Sequence, residues 1–216
     1  MERLQANGQL QNLINETEKR HEILSEIARR LEWPPLWHLP SRIISEITKK
    51  SKTNELTDKD IKKLLLSFYS FEFIQGLTDS WNNSPHIERR MPILEEAAEN
   101  HYEGRYFSSV CTLLPQIEGI LGDYLGKKLN PNNDVERVFA KAKTVFQSYA
   151  ENFLKDVVYK TEKWGSSTTQ ISRHAILHGY ALNYGTLENS IKAFIIVDLV
   201  IQCCSENPSE EITEST

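Results

Sequence analysis

Apolar and polar positions along this chain recur with the period of a helix nearly throughout, and no stretch shows the period of two that a half-buried strand would. From Leu4 to Leu31, the residues Leu10, Leu13, Ile14, Ile23, Leu24 and Ile27 fall at helical spacing between Glu, Gln, Lys and Arg. This predicts one long amphipathic helix or two in succession. Trp33-Pro34-Pro35-Leu36-Trp37 stops it, because proline cannot continue a helix and restricts the residue before it. Two tryptophans beside two prolines predict a packed corner, with an aromatic-proline binding surface as the less favoured reading. Ser41 to Lys50 predicts a second helix. Thr57-Asp58-Lys59-Asp60 opens a further one through Ile61, Leu64, Leu65, Phe68, Phe71 and Ile74, and Asn82-Asn83-Ser84-Pro85 is the strongest boundary signal of the first half.

After that boundary, Ile87 to Asn100 is helical by pattern. Arg105 to Leu125 predicts a more apolar helix, with Phe107, Val110, Cys111, Leu114, Leu121 and Leu125 on one side and a kink at Pro115. Glu118 falls within that apolar side. A carboxylate among apolar neighbours is costly unless paired, so it calls for a cationic or hydrogen-bonding partner, with Arg173 the first choice. Leu129-Asn130-Pro131-Asn132-Asn133 is a turn, and apolar positions from Val135 to Val158 then keep helical spacing as one long run. Asn183-Tyr184-Gly185-Thr186 makes the last turn, and Leu187 to Cys204 is apolar almost all round, as a central helix would be. Ser205 to Thr216 reads as a polar, acidic, disordered tail. The expected fold is all-α: a small N-terminal helical region of unknown role (1–82), then a helical bundle (86–204) and the tail (205–216).

Composition changes this picture only slightly. The 216 residues suffice for one core and a smaller appended module, and a quarter of them are charged. A net charge of −5 argues against a nonspecific grip on nucleic acid, without excluding a local basic cleft. The densest positive cluster in the sequence joins Lys49, Lys50 and Lys52 to Lys59, Lys62 and Lys63 through Asn54. It reads first as a solvated helix face and second as a phosphate-contacting patch. Cys111, Cys203 and Cys204 lack CxxC spacing and sit in or beside apolar runs, as reduced core residues do. The first residues carry no signal-like apolar stretch, and Ile191 to Cys204 is too short and too interrupted by Lys192 and Asp198 to span a bilayer. A cytoplasmic protein with no membrane partner is the expectation.

The chemistry concentrates in Ser172-Arg173-His174-Ala175-Ile176-Leu177-His178-Gly179-Tyr180. Ser166, Ser167, Thr168 and Thr169 ahead of it supply hydroxyls suited to a helix start, and Gly165 and Gly179 mark breaks. At roughly 100° per residue, His174 and His178 share a side flanking Ile171 and Ala175, while Arg173 points away. Arginine and histidine five positions apart cannot meet on one regular helix. They require the helix to end near Gly179, or a second copy of the chain to supply the partner. Two histidines at i,i+4 also suit a shared metal ion, but third and fourth ligands are needed, and His38, His86 and His101 come with no supporting motif. No metal and no cofactor is expected.

Arg173, the polar His174 and His178-Gly179 on the penultimate helix resemble the signature of HEPN domains, in which an arginine, usually a polar residue, and a histidine four to six positions on form the active site. Tyr106-Phe107-Ser108 through Leu114-Pro115-Gln116-Ile117-Glu118-Gly119-Ile120-Leu121 resembles the opening long helix of such domains, and Glu188-Asn189-Ser190 the start of their apolar last helix. The resemblance covers about Ile87 to Cys204. It implies a bundle that forms a homodimer across the motif helices, bringing two arginines and two histidines into one cleft, and a metal-independent endoribonuclease acting on RNA in a toxin or phage-defence role. Arg173 and His178 would be catalytic and His174 supporting. Glu118, with Asp198 in reserve, would match the family's acidic residue that supports the arginine. Tyr180 occupies the place where some HEPN toxins accept AMP from a nucleotidyltransferase antitoxin. The alternative is a noncatalytic helical module binding RNA, a nucleotide or a protein.

Overall fold

The computed structural model describes residues 2–53, 55–84, 87–139, 145–161 and 171–206, and every regular element among them is helical. The first helix, α1 (Glu2–Leu31), is a single unbroken rod; the side chains of Leu4, Leu10, Leu13 and Ile14 lie outside the described part. It ends without a glycine. Glu32 takes the left-handed conformation (φ 54°), while the N–H groups of Glu32 and Trp33 donate back to the carbonyls of Arg29 (3.2 Å) and Ala28 (2.9 Å). That is the double bond of a Schellman turn.

The corner that follows is packed: Trp33, Pro34, Pro35 and Leu36 are buried, and the Tyr149 hydroxyl donates to the Trp33 carbonyl at 2.5 Å. Their burial removes the alternative of an aromatic-proline binding surface. Next come α2 (Ser41–Lys52), α3 (Asp58–Phe68) and α4 (Phe71–Trp81). Helix α3 starts on a capping box, with Thr57 accepting from the Asp60 N–H and the Asp60 carboxylate accepting from the Thr57 N–H.

A 3₁₀ turn at Glu88–Arg90 leads into α5 (Met91–Tyr102), which packs along α6 (Tyr106–Leu125). Helix α6 continues through Pro115 and closes on Gly126 in the left-handed conformation. The run expected from Val135 to Val158 contains α7 (Pro131–Phe139), α8 (Val145–Phe153) and a π-helical turn (Leu154–Val158), with residues 140–144 between them outside the described part. The short α9 (Arg173–Leu177) precedes α10 (Leu187–Glu206). Helix α10 is the central element and runs two residues into the expected tail. Pro85, His86, the Gly165 to Thr169 stretch and tail residues 207–216 lie outside the described residues.

Helix α10 is buried along nearly its whole length, packing mainly on α6 and also on α4 and α7. Three of its buried polar residues are held by partners, as buried polar groups must be. Asp198 accepts from Trp81 Nε1 at 2.8 Å and lies 3.0 Å from His38 Nε2. Lys192 meets Glu188 at 2.7 Å and lies over the Trp33 ring. Ser190 bonds His101 Nδ1 (2.8 Å) and Ser109 (3.0 Å). Asp198 and Lys192 thus tie α10 to the N-terminal helices. Apolar residues from Leu24 to Cys204 form one contiguous cluster, with Cys203 and Cys204 buried in it and Cys111 packed half-buried against it. No described helix is long and apolar enough to cross a membrane.

Candidate functional site

The motif helix is built from its cap outward. Ser172 is fully buried and accepts from the Ala175 N–H at 3.3 Å, fixing the start of α9. Ala175 and Ile176 anchor it in the core. At the other end the N–H groups of Tyr180 and Ala181 both return to the Ala175 carbonyl (3.1 and 3.0 Å), and Gly179 takes φ 78°. Helix α9 therefore stops at Leu177, with His178 as its C-cap. The helix thus ends at the expected break near Gly179, but this does not bring Arg173 and His178 together. It leaves Leu177, His178 and Gly179 exposed and Arg173 and His174 half-buried.

Arg173 turns toward α6 and forms an ion pair with Glu118. The pair lies at the rim of the core, with the two side chains 25% and 27% exposed, so Glu118 is less buried than its place on the helical wheel implies. Pairing with Arg173 answers its need for a cation. Asp198, the reserve partner, faces Trp81 and His38 instead and is corrected from that role. Among the described residues, the buried Arg173 Nε–H and Tyr159 hydroxyl have no hydrogen-bond partner. Burial raises the Tyr159 pKa, with the Glu118 charge raising it further and the Arg173 charge opposing. Tyr159 is thus a third member of this cluster. Sequence reasoning counted it only as part of a helical run, because nothing local marks it.

The two histidines lie against each other, ring centroids 4.5 Å apart with a 46° tilt. His174 Nδ1 shares a short hydrogen bond with the Tyr180 hydroxyl. With the phenol donating, the imidazole proton resides on Nε2. The structure therefore brings His174, His178 and Tyr180 together on one edge of α9, and Arg173 with Glu118 on another. Among the described residues, no contact joins Arg173 to His178 within one chain. Three large apolar side chains, on α9, in the segment after it and at the start of α6, are exposed. Leu177, Leu182 and Phe107 are 41%, 74% and 52% exposed, and the Phe107 ring packs on Tyr184 at 5.0 Å. Gly185 is required there, since a Cβ would overlap the Phe107 ring. The Tyr184 hydroxyl bonds Cys111 Sγ at 2.9 Å, and burial together with that contact pushes the phenol up to about 12.

The remaining chemistry that the sequence singles out lies elsewhere in the fold. In the lysine cluster Lys50 bonds Glu46 at 2.7 Å and Lys62 turns inward to Glu188 at 3.2 Å, while Asn54 is outside the described residues. His38 belongs to the Asp198 network, and His101 is sealed in the core, where burial lowers its pKa to about 4. Among the described residues, no three His, Cys, Asp or Glu side chains gather as metal ligands. No family model matches the chain, and neither a characterised protein nor a solved structure was found to be similar to it.

Proposed function

We propose that this protein is a metal-independent endoribonuclease of the HEPN type, with a site completed by two copies of the chain. The observation that carries the reading is the division of labour on α9: Arg173 is held by Glu118 at the rim of the core, while the early end of the helix leaves His178 in solvent. Arg173 and His178 do not meet within one chain, and Leu177 beside His178 is exposed, as are Leu182 in the following segment and Phe107 on α6. A second copy covering these side chains supplies the missing half of the cleft.

In the reaction, the 2′-oxygen of a ribose forms a bond to the adjacent phosphorus as the bond from phosphorus to the 5′-oxygen breaks. One His178 takes the 2′-OH proton, and its counterpart gives a proton to the departing 5′-oxygen, a pairing suited to imidazole. Arg173 donates to the phosphorane oxygens as their charge builds. The products are a 2′,3′-cyclic phosphate and a 5′-hydroxyl. His174, oriented by Tyr180, supports the neighbouring phosphate. In the toxin or phage-defence setting, Tyr180 is the residue a nucleotidyltransferase antitoxin would modify, and AMP on its oxygen would break the bond to His174.

The test is cleavage of single-stranded RNA in EDTA with end-group analysis, comparing the wild-type protein with Arg173→Ala and His178→Ala. The proposal expects cyclic-phosphate ends from the wild type and a loss of at least about 100-fold in each variant. Cleavage that requires a divalent ion, or that survives both substitutions, overturns it. RNA binding without any cleavage would assign the chain to the noncatalytic class.

A further inference from the structure

A groove of about 770 Å³ opens beside the Arg173–Glu118 pair, with Glu118 itself in its wall. This is within the size range of sites that take nucleotide-sized ligands. Its cations come from two segments that only folding brings together: Arg89 and Arg90 ahead of α5, and Lys127 and Lys128 after α6. The carboxylates facing them are Glu88, Asp123 and Glu118. Asp123 is shared by both arginines: Arg90 donates to it through Nε (2.9 Å) and a terminal nitrogen (2.7 Å), and Arg89 forms an ion pair with the same group. Glu118 is engaged by Arg173, and Lys127 bonds Asp134 at 2.7 Å. Two guanidinium groups on one carboxylate leave one positive charge in excess, and Lys128 and Glu88 offset each other, so the groove keeps a small positive excess on a chain whose net charge is −5.

The position of Arg90 links this groove to the motif. Its guanidinium reaches α6 at Gly119, where an added Cβ would overlap it, and donates to Gln116 Oε1 at 2.9 Å. Gly119 is the residue after Glu118, so a planar guanidinium held by Asp123 and Gln116 stands one step along the helix from the Arg173 pair. Lys127 and Lys128 also follow the carbonyl end of α6, and the helix dipole favours cations there. That accounts for the lysines but not for two arginines converging on the groove from another element.

We infer that this groove carries the RNA backbone next to the scissile bond, with Arg89, Arg90 and Lys128 on its phosphates and the strand passing Glu118 to reach Arg173. The inference rests on the ribonuclease reading for its direction, and its own test is binding. A labelled single-stranded 12-mer RNA is titrated in the His178→Ala background, so that the strand stays intact, with Arg89→Glu/Lys128→Glu and with Gly119→Ala. The charge reversals should weaken binding at least tenfold and reduce the dependence of log affinity on log salt by about one for each phosphate deprived of its cation. Gly119→Ala should weaken binding by displacing Arg90, while thermal stability holds or rises, since alanine is the better helix former.

Cleavage of a dinucleotide, which is too short to fill the groove, separates the two claims. Unchanged dinucleotide cleavage with impaired 12-mer cleavage, when Arg89→Glu/Lys128→Glu is made in the protein that keeps His178, supports the groove. Dinucleotide and 12-mer cleaved alike by every form overturns the groove and leaves the ribonuclease standing. If the wild type cleaves nothing but the variants still lose 12-mer binding, the groove stands and the ribonuclease falls. Competition by ATP as effective as by the 12-mer would mark a single-nucleotide site and overturn the strand path.

Discussion

At the scale of single residues, what decides the chemistry is which charge meets which. Glu118 holds Arg173 through an ion pair about a quarter exposed to solvent, where such a pair adds less than about 1 kcal/mol to stability. On the proposed ribonuclease reading, its value is in aiming the guanidinium. Glu118→Gln should therefore leave the melting temperature nearly unchanged while lowering kcat about tenfold, checked by steady-state kinetics beside a thermal melt. His101 is a different case, buried with one bond to Ser190, an unpartnered Nε2, and a pKa lowered to about 4. The unfolded chain takes up this proton near pH 6.5, but the folded one resists until about pH 4. Stability is therefore intact above pH 6.5 and falls as the pH drops between those values, by about 3 kcal/mol in all. Urea melts across that range should show the loss, and His101→Gln should flatten it. Glu118's need for a cation was legible in the sequence from its place on a wheel. The partnership of His101 with Ser190 was not, because they are 89 positions apart.

At the scale of elements, starts were more legible than stops. Thr57 and Asp60 announce the beginning of α3 by residue type, and they form the reciprocal pair that type predicts. Thr57→Ala should cost about 1 kcal/mol in a denaturant titration. The end of α1 carries no such announcement, because the left-handed position belongs to Glu32 rather than to glycine. A side chain there costs roughly 1 kcal/mol, so Glu32→Gly should stabilise the protein by about that much, measured in the same titration. At α9 the glycine is present and was legible: Gly179 takes the left-handed turn that ends the helix and frees His178.

At the scale of the whole molecule, the helices before Asn82 share a core with those after it. Trp33 and Trp81 are fully buried, and Asp198 on α10 links Trp81 and His38 across 117 and 160 positions. Calorimetry should accordingly show one cooperative unfolding transition rather than two. Asp198→Ala would strand the Trp81 N–H in a buried site and should cost about 3 kcal/mol, lowering that single transition without splitting it. Two separate transitions would show that the N-terminal helices fold independently of the bundle.

The amino-acid sequence alone determined what depends on neighbours within a turn or two: the helical period, the proline and glycine stops, the apolar run of α10, and the spacing that keeps Arg173 and His178 apart. Tertiary packing decided the rest. It selected Glu118 over Asp198 as the partner of Arg173, set the Tyr159 phenol beside that pair, and gathered Arg89, Arg90, Lys127 and Lys128 around one groove. The reason is physical. Backbone hydrogen bonding and helix amphipathicity act over three or four residues, whereas the pairing of buried polar groups is chosen by how whole helices dock, and many dockings share one local pattern.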